Sequence, residues 1–216
     1  MTAPVTEHDF IGTAWQPRLR PVKAITALSR VLRNKEATHE VFRLIAALAG
    51  PVVERRYRTF AASALGRDVL AARRDLAPVL GNRSFLGQLP EGSLGRAYLD
   101  FVTREGLSVE GFQQEIEASG ETYAEAGAHR ERYVSRVRHA HDLYHVLTGY
   151  GRDALGELCN LVYTRQQTYN PGFKLIVAIG FLAQKLEQPF QPIQKALAEA
   201  RRNALAAEWV LEYDVE

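Results

Sequence analysis

The chain has 216 residues, 46% hydrophobic and 24% charged, which suits one domain with a sizeable core and excludes extensive disorder. One cysteine, Cys159, excludes an internal disulfide and suits a reducing compartment. The net charge of +2 hides an asymmetry, because residues 1–75 carry 13 Lys and Arg against 7 Asp and Glu, and the remainder 14 against 18. A basic amino-terminal third favours an anionic surface such as a phospholipid leaflet. No zinc-finger, RNA-recognition or helix-turn-helix pattern accompanies the charge, so nucleic acid is not expected as a partner.

Helical periodicity dominates, and strand signals such as alternation bounded by Asn-Gly turns are missing. The expected fold is all-α, a single-domain multi-helix bundle. Residues 1–20 read as an irregular arm broken by Pro4 and Pro17, and residues 21–216 as one helical domain. Met1 to Gln16 contains acids and no apolar block, so no secretory signal is expected there and the protein is placed in the cytosol. A first helix follows Pro21 and carries Val22, Ile25, Leu28 and Leu32 at helical spacing. A second spans about Ala37 to Ala49, and a third runs from Pro51 to about Leu65. Short helices and loops fill Gly66 to Gly92. Ser93 and Ser108 are natural N-caps for the next two helices.

The stretch HDLYHVLTGYGRDALGE, His141 to Glu157, carries the chemistry. Residues on a helix advance about 100° each, so His145 lies about 40° from His141 and Asp142 about 100°. Val134, Val137, Tyr144 and Thr148 share that side, which turns the triplet inward. Gly149 and Gly151 stop the helix, and Asp153 caps the next one, bringing Glu157 back toward the histidines. Imidazoles and carboxylates so placed suit zinc, iron or manganese with room left for substrate or water. The bland alternative is a set of buried histidines bonded to the two acids. The second motif helix runs to about Tyr169, a strongly apolar helix spans Phe173 to Leu186, and a last one reaches about Trp209. The apolar helix reads as bundle core, or as a wall for a lipid chain through its small residues Ala178, Gly180 and Ala183. Its clean apolar run, Leu175 to Ala183, is too short to span a bilayer.

The pattern HD, two residues, H, eleven residues, E at His141, Asp142, His145 and Glu157 resembles the motif of the Coq-four family of coenzyme Q (ubiquinone) biosynthesis proteins. LPEGSLGRAYLDF, Leu89 to Phe101, resembles a second block of that family. The resemblance covers about Lys35 to Glu187. It implies His141, His145 and Glu157 as ligands of a divalent metal, with Asp142 either a ligand or beside one. Zinc is the metal usually assigned; iron, cobalt and manganese fit the same donors. It further implies decarboxylation, in some descriptions oxidative, of a polyprenylated hydroxybenzoate-type precursor, and an apolar channel between helices for the polyprenyl tail. Other ubiquinone-biosynthesis proteins and the inner face of a membrane, contacted peripherally, are the implied partners.

Asp142 is the candidate proton carrier. Arg96, Arg130 and Arg132 are candidates for gripping a carboxylate, with Tyr144 and Gly180 as further substrate-binding candidates. An HD-type phosphohydrolase does not call for His145, and a di-iron carboxylate site needs two Glu-x-x-His motifs where only Glu36 to His39 fits. The rival from another class is a non-catalytic scaffold that binds a prenyl lipid and organises a biosynthetic complex. A homodimer is compatible with either reading.

Overall fold

A computed structural model describes Phe10, residues 15–34 and residues 37–215. Most of the amino-terminal arm, and Glu36 of the Glu-x-x-His pattern, lie outside the described residues. Twelve α-helices and two 3-10 turns account for the described chain, with no strand among the described residues. They are α1 (Pro21–Arg33), α2 (Thr38–Ala49), α3 (Pro51–Ala62), α4 (Ala64–Ala71), α5 (Leu76–Gly81) and α6 (Arg83–Gln88). Then follow α7 (Leu94–Arg104), α8 (Val109–Ser119), α9 (Ala128–Thr148), α10 (Ala154–Thr168), α11 (Pro171–Glu187) and α12 (Ile193–Ala206).

The bundle is built around α9, whose 21 residues span about 32 Å. It touches α3, α5, α7 and α10. One side enters an aromatic core of Tyr57, Phe60, Tyr133, Tyr144 and Tyr163, which Phe10 of the arm also joins. Tyr57 donates its hydroxyl hydrogen to the Phe10 carbonyl at 2.7 Å. The other side places Leu143 among Leu76, Leu86, Tyr98 and Phe101. Each such side chain contributes roughly 1.5–3 kcal/mol by leaving water, so α9 is held from both flanks before any site chemistry begins.

The caps explain where the helices stop. Ser93, Ser108 and Asp153 accept backbone hydrogen bonds from Arg96, Gly111 and Gly156 as their types predict. Gly149 ends α9 in the left-handed region, at φ 72°. Three expectations are corrected. The helix begun at Pro51 breaks at Ser63, whose extended backbone and side chain cap a separate α4. The last helix ends at Ala206, before the 3-10 turn Val210–Glu212 that follows Trp209.

The third correction concerns apolar faces. In α1 the periodic residues Val22, Ile25 and Leu32 are exposed and Leu28 is partly buried, while Ala24 and Ala27 pack against Leu44 and Ala47 of α2. Small side chains allow the closer helix approach, so they take the interface. In α11, read as core, only Gly172 and Gln184 are buried. Leu182 is 62% and Leu186 85% exposed, and Phe190 beyond them is 99% exposed. No described helix is long and apolar enough to cross a membrane.

Candidate metal centre

The last turns of α9 and the first turn of α10 form the site. Gly149 reverses the chain, and Gly156 faces the Gly151 carbonyl so closely that a Cβ would stand 2.2 Å from that oxygen. The tight connection lays Glu157 over the two histidines. His141 Nε2 is 3.8 Å and His145 Nε2 3.5 Å from the same oxygen, Glu157 Oε2. One ligand atom from each of His141, His145 and Glu157 lies within 4.8 Å of the others. Atoms bound about 2.1 Å from a tetrahedral ion stand about 3.4 Å apart, close to the two distances from Glu157.

The donor chemistry fits a cation. His145 Nδ1 is 2.8 Å from the Tyr150 carbonyl, which can only accept, so that nitrogen carries the proton and Nε2 is left as the ligating lone pair. A neutral imidazole would then present a lone pair to a carboxylate oxygen. That contact needs a proton or a metal ion between the two atoms. Burial lowers His141, and though burial also works against charged His145, its hydrogen bond to Glu157 raises it on balance. Burial works to raise the Glu157 carboxyl, but the His145 hydrogen bond and both imidazoles hold it below its usual range. Phe101 stacks on His145 at 5.6 Å and fixes the ring plane.

A cavity of about 630 Å³ opens beside the cluster. His141, Asp142, Arg152 and Glu157 line its polar part, and Val41, Ile45, Val137, Leu161, Phe173 and Ile176 supply apolar wall from α2, α9, α10 and α11. From α9 it receives Tyr133, Val137 and His141 on one ridge and Val134, Arg138 and Asp142 on the next. Asp142 therefore lines the cavity but is not one of the three converging ligands.

The other sequence candidates lie elsewhere. Arg130 is buried and donates to both oxygens of Glu54, at 2.6 and 2.9 Å. Arg132 donates to the Arg73 and Arg74 carbonyls, and Arg96 to the Gly87 carbonyl. Tyr144 packs against Tyr163 in the aromatic core, turned away from the cavity by its place on α9. Gly180 faces Leu158 of α10, where a Cβ would stand 2.5 Å from a methyl carbon; its role is close helix packing. The cavity wall from α11 is Phe173 and Ile176, not the small-residue stripe. Sequence reading missed Arg56, Arg138 and Arg152, which do reach the cavity. A usable signal existed: the pairs Tyr-Val, Val-Arg and His-Asp recur every four residues from 133 to 142, marking one face of α9.

The family model described as coenzyme Q (ubiquinone) biosynthesis protein Coq4 matches residues 19–215. A ubiquinone biosynthesis protein coq4, mitochondrial, of Talaromyces stipitatus is 30% identical over 80% of this chain and 58% of its own length. Its counterpart from Neurospora crassa is 31% identical over 57% of this chain and 33% of its own length. The chain thus spans between a third and three fifths of these relatives. A crystal structure of a Nostoc punctiforme PCC 73102 protein superposes with a TM-score of 0.58 at 20% identity, over 86% of this chain and 83% of that one, which establishes a shared fold. With nearly all its length matched to the family model, the chain belongs to the Coq4 family of coenzyme Q (ubiquinone) biosynthesis proteins.

Proposed function

We propose that this protein acts in ubiquinone biosynthesis as a metal-dependent decarboxylase of a polyprenylated hydroxybenzoate-type precursor. The observation that carries the reading is a cavity with a largely apolar wall, lined at its polar part by His141 and Glu157 of the three-residue cluster. A ligand with a greasy tail and a polar ring matches that division. A divalent ion held by the three side chains would stabilise the negative charge that builds on the ring as carbon dioxide leaves.

The chain's own groups account for the rest. Val137, Leu161 and Ile176 exclude water around the tail and set its direction. Asp142, beside His141 on the cavity face, transfers through a carboxylate oxygen the proton that replaces the lost carboxyl group at the ring carbon. Exposed Val22 and Ile25 on α1, and Leu182, Leu186 and Phe190 at the end of α11, offer apolar surface for peripheral contact with a membrane that holds such a substrate.

The test is elemental mass spectrometry of the purified protein, together with turnover of a short-tailed prenylated 4-hydroxybenzoate. About one ion per chain, absent from a His141→Ala/His145→Ala variant, is expected, and its identity separates redox-inert zinc from iron or manganese. Asp142→Asn is expected to keep the ion and lose turnover. Bound ligand without conversion by the metal-loaded wild type would instead favour a lipid-binding scaffold. No bound ion after incubation with zinc, iron and manganese would refute the metal centre.

A further inference from the structure

Three arginines line the cavity, and two are already occupied. Arg152 Nε is 3.8 Å from Glu157 Oε1 and so belongs to the metal cluster. Arg56 lies over the Trp209 ring at 3.7 Å and donates to the Gln167 carbonyl at 2.9 Å. Arg138 is held more loosely. It donates to the backbone carbonyl of Glu121 at 3.1 Å and stands 5.5 Å from the Tyr123 ring. The Glu121 carboxylate itself is taken by Arg20 and Lys23. Among the described residues, no carboxylate forms an ion pair with Arg138.

The acids nearest in the cavity do not fill the gap. Glu115 pairs with His39, and Asp142, one helical turn along the same ridge of α9, is not within ion-pair distance. A half-buried guanidinium therefore lines this cavity and a second one with a carbonyl and a ring as its direct contacts, while the Glu121 and Glu131 carboxylates favour its charge without pairing with it. Burial accordingly pulls its affinity for the proton below the ordinary value. A charge held out of water in this way is stabilised by an anion that brings its own two oxygens.

We infer that Arg138 selects the anionic head of the ligand, gripping the ring carboxylate of the substrate inside the cavity that the metal cluster also lines. This inference rests on the substrate class proposed above. Arg138 is a specificity residue; Arg96, Arg130 and Arg132 are committed to other contacts.

Isothermal titration calorimetry of the metal-loaded protein with 3-geranyl-4-hydroxybenzoate and with 2-geranylphenol, which lacks the carboxylate, separates the possibilities. The wild type is expected to prefer the carboxylate ligand by about 10- to 100-fold. Arg138→Gln is expected to lose that preference while keeping its metal content and its affinity for the phenol. Arg138→Lys, which keeps the charge but not the planar fork, is expected to retain part of it. Equal binding of the two ligands by the wild type, or a full preference in either variant, would overturn the inference. Binding of neither ligand by the wild type would remove the substrate class itself, and the role of Arg138 with it. Should Arg138→Gln lose metal or helicity, the lysine variant and the wild-type preference still decide.

Discussion

Glu54→Ala tests whether Arg130 anchors the site helix or serves the ligand. Arg130 sits near the start of α9 and Glu54 in the first turn of α3, and their side chains are only 9% and 10% exposed. Two hydrogen bonds, at 2.6 and 2.9 Å, join them in a forked pair, and the guanidinium also lies 4.8 Å from the Tyr57 ring. Removing the carboxylate takes this forked partner from a buried cation, which costs up to about 3–5 kcal/mol. The second partner of Glu54, Arg58, is 40% exposed and adds little. For a chain of this size each kcal/mol moves the midpoint by roughly 2–4 °C, so the expected fall is about 6–20 °C. Circular dichroism during heating measures it. Glu54→Met with Arg130→Met should restore most of the stability, because two apolar side chains then take the place of the buried pair. Prenylated 4-hydroxybenzoate should bind that folded double variant as tightly as it binds the wild type. A cost below about 1 kcal/mol for Glu54→Ala, or weakened binding in a stable double variant, would refute the structural role.

Three further outcomes follow from the same packing. Tyr144→Phe should be neutral or stabilise by up to about 1 kcal/mol, since the buried Tyr144 hydroxyl has no hydrogen-bond partner among the described residues; urea titration checks it, and turnover should not change. Gly172→Ala should destabilise by about 1–3 kcal/mol, because its Cβ would stand 2.8 Å from the Ile45 Cα where α11 crosses α2; differential scanning calorimetry reads this. Val137→Trp, in the cavity wall one turn before His141, should leave metal content intact and weaken binding of prenylated ligands more as the tail lengthens, measured by titration across a tail-length series.

The motif was legible because its geometry is local. His141 and His145 share one helix, and the connection to Glu157 is short and capped by residues whose types announce the turn, so little beyond helical geometry was needed to bring three ligands together. The arginines were not legible for the opposite reason. Arg130 finds its partner 76 residues away and Arg132 its carbonyls nearly 60 away, and no spacing rule reaches that far. The faces of α1 and α11 misled for a third reason. Apolar periodicity marks a face that leaves water, but Ala24, Ala27 and Gly172 won the contacts with α2 by allowing close approach.

One pattern joins the fold to the ligand. Along α9 the cavity face steps from Tyr133 and Val134 to Val137 and Arg138, and then to His141 and Asp142. At about 1.5 Å per residue these two steps cover about 12 Å, passing from aromatic and apolar through a cation to the metal-binding end. A wholly apolar ligand would set oil against Arg138, His141 and Asp142 on this face. A molecule with an apolar tail and an anionic head matches this face of α9, while Arg56, Thr164, Thr168 and Asn170 add polar groups to the wall from α3, α10 and the turn before α11. The polarity gradient of one helix face thus supports the same division of the substrate that the metal cluster and the apolar wall support from their own sides.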